Sequence, residues 1–109
     1  MSNPKLNFLS PTSSKEGTEF KKADFKDNAP FQAGHFKIEP GVLSTLDCHA
    51  VRECWLMVSG RGILIYDEIE TEVVKGDFLY FDSNKTHQIR NTGTKQILIY
   101  SIYWSPNEN

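Results

Sequence analysis

The sequence has little of what marks several large classes of protein. No apolar run among its 109 residues approaches the roughly 20 residues that a membrane-spanning helix needs. The N-terminus has no charged segment followed by an apolar block, so we expect no signal peptide. The formal net charge is −2, whereas a nucleic-acid-binding surface usually shows a basic surplus. We therefore expect neither a membrane nor a nucleic acid as partner.

Cysteine is also scarce, with two residues in the chain. Cys48 and Cys54 do not resemble the disulfide framework of a small secreted domain, so we expect reduced thiols and a cytoplasmic protein. Cys48 precedes His49 and Cys54 follows Glu53 directly in sequence. Because adjacent residues of a strand point to opposite faces, both thiols should point away from a site that contains His49 and Glu53.

Helical periodicity is absent as well, since no segment has a 3.6-residue apolar period of helix length. From residue 31 onward, short apolar and aromatic segments alternate with turn residues. This rhythm predicts about eight strands in an all-β barrel or sandwich. The predicted strands are 32–39, 42–47, 53–59, 63–66, 70–74, 78–81, 86–90 and 96–104.

The chain divides into two parts. Residues 1–18 are rich in polar residues and proline, which predicts a flexible N-terminal arm, with Phe8 and Leu9 as its anchors to the barrel or to a second subunit. Residues 19–109 form a single domain, because the chain has no room for a second one. The predicted core is Phe36, Ile38, Leu56, Val58, Ile63, Ile65, Val74, Phe78, Phe81, Ile89, Ile97 and Ile99.

Four polar residues are candidates for a metal site. Asp47, His49 and Glu53 lie together where one predicted strand ends and another begins, and His87 starts a later strand. Asp47 and His49 share one face of a strand, so the four side chains can converge inside a barrel. Imidazole and carboxylate ligands suit divalent Fe, Mn, Zn, Ni, Co or Cu. On spacing alone, a structural role for each histidine and a surface role for each acid remain the alternative.

The spacing extends into two longer motifs. In the first, Gly41 is followed after five residues by Asp47, after one more by His49, after three by Glu53 and after six by Gly60. This pattern resembles the first motif of the cupin family, which has a histidine where this chain has Asp47.

The second motif begins at Gly76. It continues after five residues with Asp82, after one with Asn84, after two with His87 and after three with Asn91. It resembles the second cupin motif, which has proline and glycine at the positions of Asp82 and Asn84. Both are turn positions that aspartate and asparagine tolerate, so the fold should be retained.

The resemblance covers roughly residues 31–104 and implies an all-β, double-stranded β-helix barrel, or jelly roll. It also implies that His49, Glu53 and His87 bind one divalent metal ion. Asp47 stands at the fourth ligand position. It either coordinates the metal directly or leaves a coordination position open and acts as a general base, so we assign it a catalytic role in both cases.

Three functions remain open, because one fold serves many reactions. The first is a metal-dependent enzyme, such as a dioxygenase, isomerase or lyase, that acts on a small polar metabolite bearing a carboxylate or a hydroxy or keto group. The second is a non-catalytic binding protein, a sensor or an accessory subunit. The third is a purely structural barrel used for self-assembly. We also expect a homodimer, because small barrels often cover an edge with a second copy.

Other residues receive weaker assignments. The alternation around His35 predicts a surface position, whereas Trp55 and Met57 share the strand face of Glu53 and should line the cavity. An aromatic group is expected to pack in the core or a dimer interface, with stacking on a substrate as the alternative. Its members are Tyr80, Tyr100, Tyr103 and Trp104.

Overall fold

Nine antiparallel strands make up the fold of the residues that the structure describes. The computed structural model describes residues 3–10, 13–26 and 28–106, so parts of the predicted arm (residues 1–2 and 11–12) and the last three residues lie outside the described residues. Within these ranges, no helix is long and apolar enough to span a membrane. The strands are β1 Ser13–Lys15, β2 Thr18–Lys22, β3 Gln32–Ile38, β4 Arg52–Ser59, β5 Arg61–Tyr66, β6 Ile69–Val74, β7 Phe78–Phe81, β8 His87–Asn91 and β9 Ile97–Trp104.

The strands form two sheets. The larger sheet has the order β1-β2-β3-β9-β4-β7, and the smaller has the order β6-β5-β8. Sequence neighbours are often separated in space: β9 lies between β3 and β4, and β8 pairs with β5. This crossing of long connections between two packed sheets is the jelly-roll architecture predicted from the motifs.

Two differences from the predicted strands concern the entrance of the barrel. The hairpin β1–β2 was not predicted, yet β2 pairs along its whole length with β3 and thereby widens the larger sheet. The predicted strand at 42–47 is instead an extended segment with two isolated bridges, Leu43 to Arg90 and Asp47 to His87. That segment lies beside β8 and closes the barrel near the candidate site.

The core lies between the sheets and was only partly predicted. Phe81, Ile38, Ile89, Ile97 and Ile99 are fully buried there, as expected. The predicted core residues Leu56, Val74 and Phe78 are instead 42%, 45% and 67% exposed. Alternation along the strands places their neighbours inward, so the core is completed by Trp55, Met57, Leu64 and Val73.

The N-terminal segment packs on the outer face of the larger sheet. Phe8 forms a bridge with Ala23, and the backbone N–H of Leu9 donates to the carbonyl of Lys22 at 2.9 Å. The ring of Phe8 covers His35, with their centroids 4.2 Å apart. His35 is consequently 8% exposed, so the predicted surface position was wrong.

Candidate metal site

Asp47 and His87 form the base of the site. Their backbones exchange two hydrogen bonds, from Asp47 N–H to the His87 carbonyl at 3.0 Å and from His87 N–H to the Asp47 carbonyl at 2.9 Å. In an antiparallel pair of this kind the two side chains project from the same face. The pair therefore fixes the Asp47 carboxylate beside the His87 imidazole.

His49 completes a group of three possible ligands. Its carbonyl accepts a hydrogen bond from the N–H of Asn84 at 2.8 Å, which ties the loop after Asp47 to the second motif. The rings of His49 and His87 lie edge to face with centroids 5.4 Å apart. One ligand atom from each of Asp47, His49 and His87 lies within 4.8 Å of the other two.

Glu53 lies outside this group of three and joins it through His87. Its Oε1 is 3.1 Å from Nε2 of His87. Its Oε2 accepts hydrogen bonds from Nε1 of Trp55 at 2.8 Å and from the hydroxyl of Ser101. The carboxylate is buried, and its orientation is determined by groups on β4, β8 and β9.

The surroundings of Oε1 of Glu53 and Nε2 of His87, which face each other, indicate whether a metal would fit the site. Both atoms are buried, and neither makes a hydrogen bond of normal geometry with any described residue. A carboxylate oxygen and an imidazole lone pair repel each other unless a proton or a cation satisfies them both. Adjacent ligands of a metal with bonds of about 2.1 Å lie roughly 3 Å apart, so the observed separation fits a shared cation.

The environment of His87 favours a fixed ring. Its imidazole stacks on Phe81, with centroids 4.4 Å apart, and meets the edge of Trp55 at 5.4 Å. Its Nδ1 faces the carbonyl of Lys85 at 3.4 Å. A metal ion would take the place of a proton on Nε2, and the proton of the neutral ring would then lie on Nδ1, facing that carbonyl.

The two carboxylates differ in their electrostatics. Burial raises the pKa of Asp47, although the nearby His87 and His49 partly oppose this effect. Burial also acts to raise the pKa of Glu53, but the close His87 ring and the donors Ser101 and Trp55 outweigh it, so that pKa is lowered. Glu53 is thus held as a carboxylate, whereas Asp47 is the more easily protonated of the two.

Two cavities meet at the site. One, of about 310 Å³, is lined by His49, Glu53, Val51 and Tyr103. The other, of about 290 Å³, extends from Trp55 toward the hairpin β1–β2. Asp47, Phe20 and Phe36 line both. Together they offer a space adjoining the group, of the size that holds a small molecule.

The structure brings together the polar residues that the motifs singled out, but the motifs missed part of the cavity. Asp47, His49 and His87 come together, Glu53 adjoins His87, and Trp55 lines the cavity as predicted. Met57 packs in the core instead. The missed lining residues include Phe20 and Thr18, which lie on β2. Ser101, which holds Glu53, was not predicted because its role depends on the pairing of β9 with β4.

The family follows from comparison with known proteins. A family model described as a cupin domain matches residues 34–103, well over half of the chain. The chain belongs to the cupin family. The match begins within β3 and ends within β9 of this cupin, so the hairpin β1–β2 lies outside it.

Solved structures have the same fold as this cupin. A cupin 2 conserved barrel domain protein from Salinispora arenicola is 27% identical, with a TM-score of 0.74 over 81% of this chain and 76% of that one. A "predicted oxalate decarboxylase" from Thermotoga maritima is 19% identical, with a TM-score of 0.71 over 93% and 92%. The cupin domain of an XRE family transcriptional regulator from Enterobacter cloacae is 20% identical, with a TM-score of 0.72 over 84% and 99%.

Proposed function

We propose that this cupin is a metal-dependent enzyme that acts on a small polar metabolite. The observation that carries the proposal is the close pair formed by Nε2 of His87 and Oε1 of Glu53, which make no hydrogen bond of normal geometry and are buried beside the carboxylate of Asp47 and the ring of His49. Proteins seldom bury such atoms without a partner, and a divalent cation would satisfy both.

The donor set defines the class of metal. Two imidazoles with carboxylate oxygens accept divalent Fe, Mn, Zn, Ni, Co or Cu, and availability in the cell decides among them. His49, His87 and Glu53 would hold the ion, and Asp47 lies close enough to be a fourth ligand. When bound, the ion would supply Lewis acidity toward a carboxylate, hydroxy or keto oxygen of the substrate.

The chain's own residues would orient the substrate and move a proton. Asp47 lines both cavities, so its carboxylate faces the space where a substrate would lie. A carboxylate in that position can accept a proton from the substrate and return it. The rings of Phe20 and Phe36, 4.6 Å apart, would form an apolar wall of that space.

A variant of Asp47 tests this role. Asp47→Ala is compared with the native protein for metal content and for turnover of small hydroxy and keto acids, with products detected by NMR. We expect turnover to fall at least tenfold, because a general base or a ligand typically contributes that much or more. Loss of metal as well would identify Asp47 as a ligand. Full turnover by the variant would refute its catalytic role.

A second candidate function is ligand binding without turnover. It is favoured by the similarity to the cupin domain of a transcriptional regulator, which has the same barrel on a chain of nearly the same length. Each cavity also holds little beyond a small molecule. A purified, metal-loaded protein that binds acids of the panel and returns all of them unchanged would support this function over catalysis.

We also propose a homodimer in the cytoplasm. The outer face of the larger sheet carries large exposed apolar residues in adjacent register across β7, β4 and β9. They are Leu56, Phe78, Tyr80, Tyr100 and Ile102. A contiguous apolar face of this kind is uncommon on a monomer, and two copies related by a twofold axis would cover it. The cytoplasmic assignment rests on Cys48 and Cys54, which are both free thiols.

A further inference from the structure

We infer that the hairpin β1–β2 provides a carboxylate-binding subsite, so that the substrate is a small acid which binds the metal at one end and Lys15 at the other. This inference rests on the proposed function and specifies its substrate class. Lys15 and Thr18 lie outside the segment that matches the family model.

The register of the strands directs the hairpin residues into the barrel. Lys15 lies directly opposite Thr18 in the β1–β2 pair, and Thr18 lies opposite Ile38 in the β2–β3 pair. Directly opposed residues of antiparallel strands share one face. Because Ile38 is fully buried in the core, Lys15 and Thr18 occupy the inward face at the mouth of the barrel.

Both residues carry a polar group that lacks a partner among the described residues. The hydroxyl of Thr18 is buried and makes no hydrogen bond with any described residue. The amine of Lys15 forms no ion pair within the part of the chain that the structure describes, although it also borders a surface depression that contains Glu19 and Glu39. A lysine amine and a hydroxyl at one end of a cavity form a site for a carboxylate.

The other residues that line the cavity indicate the chemistry of the central part of the ligand. Between Lys15 and Asp47 the walls are mainly the side chains of Phe20, Phe36 and Trp55, which favour an apolar body. Asp47 is the one acidic residue among the described residues that line this cavity, and Lys15 is the one basic residue. A ligand that spans the cavity thus meets Asp47 of the candidate metal site at one end and the Lys15 amine at the other.

Calorimetric titration of matched acids tests the subsite. The zinc-loaded protein is titrated with succinate, glutarate and adipate, and with butanoate, pentanoate and hexanoate as the monoacids of equal length. We expect one diacid to bind about tenfold more tightly than its monoacid, because a charge-assisted hydrogen bond contributes on that scale. Lys15→Met should remove this preference, and Thr18→Val should reduce it in part.

Matched controls separate the subsite from general effects. Lys37→Met removes a lysine that lines the surface depression but not the cavity, and it should preserve the preference. Equal affinities of every diacid and its monoacid, an equal loss in Lys15→Met and Lys37→Met, or no binding of any acid would overturn the inference.

The same titrations in EDTA distinguish this inference from the proposed function. If the protein binds no zinc, the proposed function fails, and a diacid affinity that still depends on Lys15 supports the subsite alone. If zinc binds with high affinity but Lys15→Met leaves the diacid preference intact, the subsite fails and the metal site stands. Thermal unfolding of each variant confirms that it is folded before titration.

Discussion

At the scale of single residues, Glu53 shows how the barrel stabilises a buried charge. Its Oε2 accepts hydrogen bonds from Trp55 and Ser101, and its Oε1 faces His87. A carboxylate transferred from water to the interior needs such donors, because burial alone would protonate it. Trp55 thus has two roles, since its ring also packs in the core.

Removal of one donor should destabilise the protein in a pH-dependent way. Ser101→Ala leaves Oε2 of Glu53 with fewer donors, so we expect the free energy of unfolding to fall by about 1–3 kcal/mol at pH 7. The lowered pKa of Glu53 stabilises the fold above the unfolded-state pKa, and this stability is lost as pH falls through the folded-state pKa. Ser101→Ala should raise the folded-state pKa of Glu53, so the variant should begin to lose stability at a higher pH than the native protein.

Urea denaturation in EDTA between pH 7 and pH 4 measures this effect. The matched control is Ser105→Ala, because Ser105 is exposed and follows the end of β9. An unchanged unfolding free energy in Ser101→Ala would contradict the assigned role of the hydroxyl.

His35 provides a second prediction at the residue scale. Burial is the main cause that lowers its pKa. A hydrogen bond with its own backbone is the largest opposing effect, Lys37 and Lys21 lower the pKa further, and Glu19 raises it. As pH falls below about 6.5, the unfolded chain therefore binds a proton that the folded chain does not. The free energy of unfolding should decrease from that pH down to the folded-state pKa of His35.

The variant His35→Phe isolates this contribution. The aromatic contact with Phe8 and Tyr100 is kept, whereas the titrating group is removed. Between pH 7.5 and pH 5.5 we expect the native protein to lose more unfolding free energy than the variant. Denaturant titrations at several pH values measure the difference, and parallel curves for the two proteins would show that His35 does not contribute.

At the scale of elements, the turn residues made the strands after residue 31 predictable. Which strand pairs with which could not be predicted from the sequence. The predicted strand at 78–81 coincides with β7. The strands β1 and β2 were missed because their stretch contains few apolar residues and is organised by its pairing with β3. The segment 42–47 was predicted as a strand from its composition, but isolated bridges and scattered hydrogen bonds, not a regular ladder, join it to β8.

The inward faces of the strands were harder to predict than the strands themselves. Apolar residues occupy both faces of β4, so alternation alone did not show whether Leu56 or Met57 points inward. Glu53 points into the site, and Trp55 and Met57 share its face. Met57 therefore points inward and Leu56 outward. The candidate ligands were predictable because the motif spacing is local, whereas the hairpin residues of the cavity depend on a long-range register.

Close packing between elements gives a third prediction. A Cβ on Gly62 of β5 would collide with the backbone carbonyl oxygen of Arg90 on β8, which cannot move without breaking the sheet. We expect Gly62→Ala to lower the free energy of unfolding by about 2–3 kcal/mol. Gly93→Ala is the matched control, because its nearest neighbour is the flexible side chain of Arg61 at 3.2 Å. Equal stabilities of the two variants in urea titrations would refute the packing argument.

At the scale of the whole molecule, the two faces of the larger sheet differ in character. The inner face forms the core and the site, and the outer face over β7, β4 and β9 is apolar and exposed. The N-terminal segment covers part of the same outer face, near His35 and Tyr100. The exposed part is the surface that we assign to the dimer.

A charge on this surface should dissociate the dimer. We expect Phe78→Lys to weaken dimerisation at least tenfold, because it removes a large apolar contact and buries an unpaired charge. Ile69→Lys is the control: Ile69 is 68% exposed and Phe78 67%, but Ile69 lies on the smaller sheet. Analytical ultracentrifugation measures both. A native protein that sediments as a monomer at all concentrations would rule out the dimer.

The central claim is that the buried group around His87 holds a metal. The most direct test is the metal content of protein purified without chelator under reducing conditions, measured by inductively coupled plasma mass spectrometry beside a His87→Ala variant. The account predicts about one divalent transition-metal ion per native chain and a large loss in the variant. A native protein that contains no stoichiometric metal, and takes up none when zinc, manganese or iron(II) is added, would contradict it.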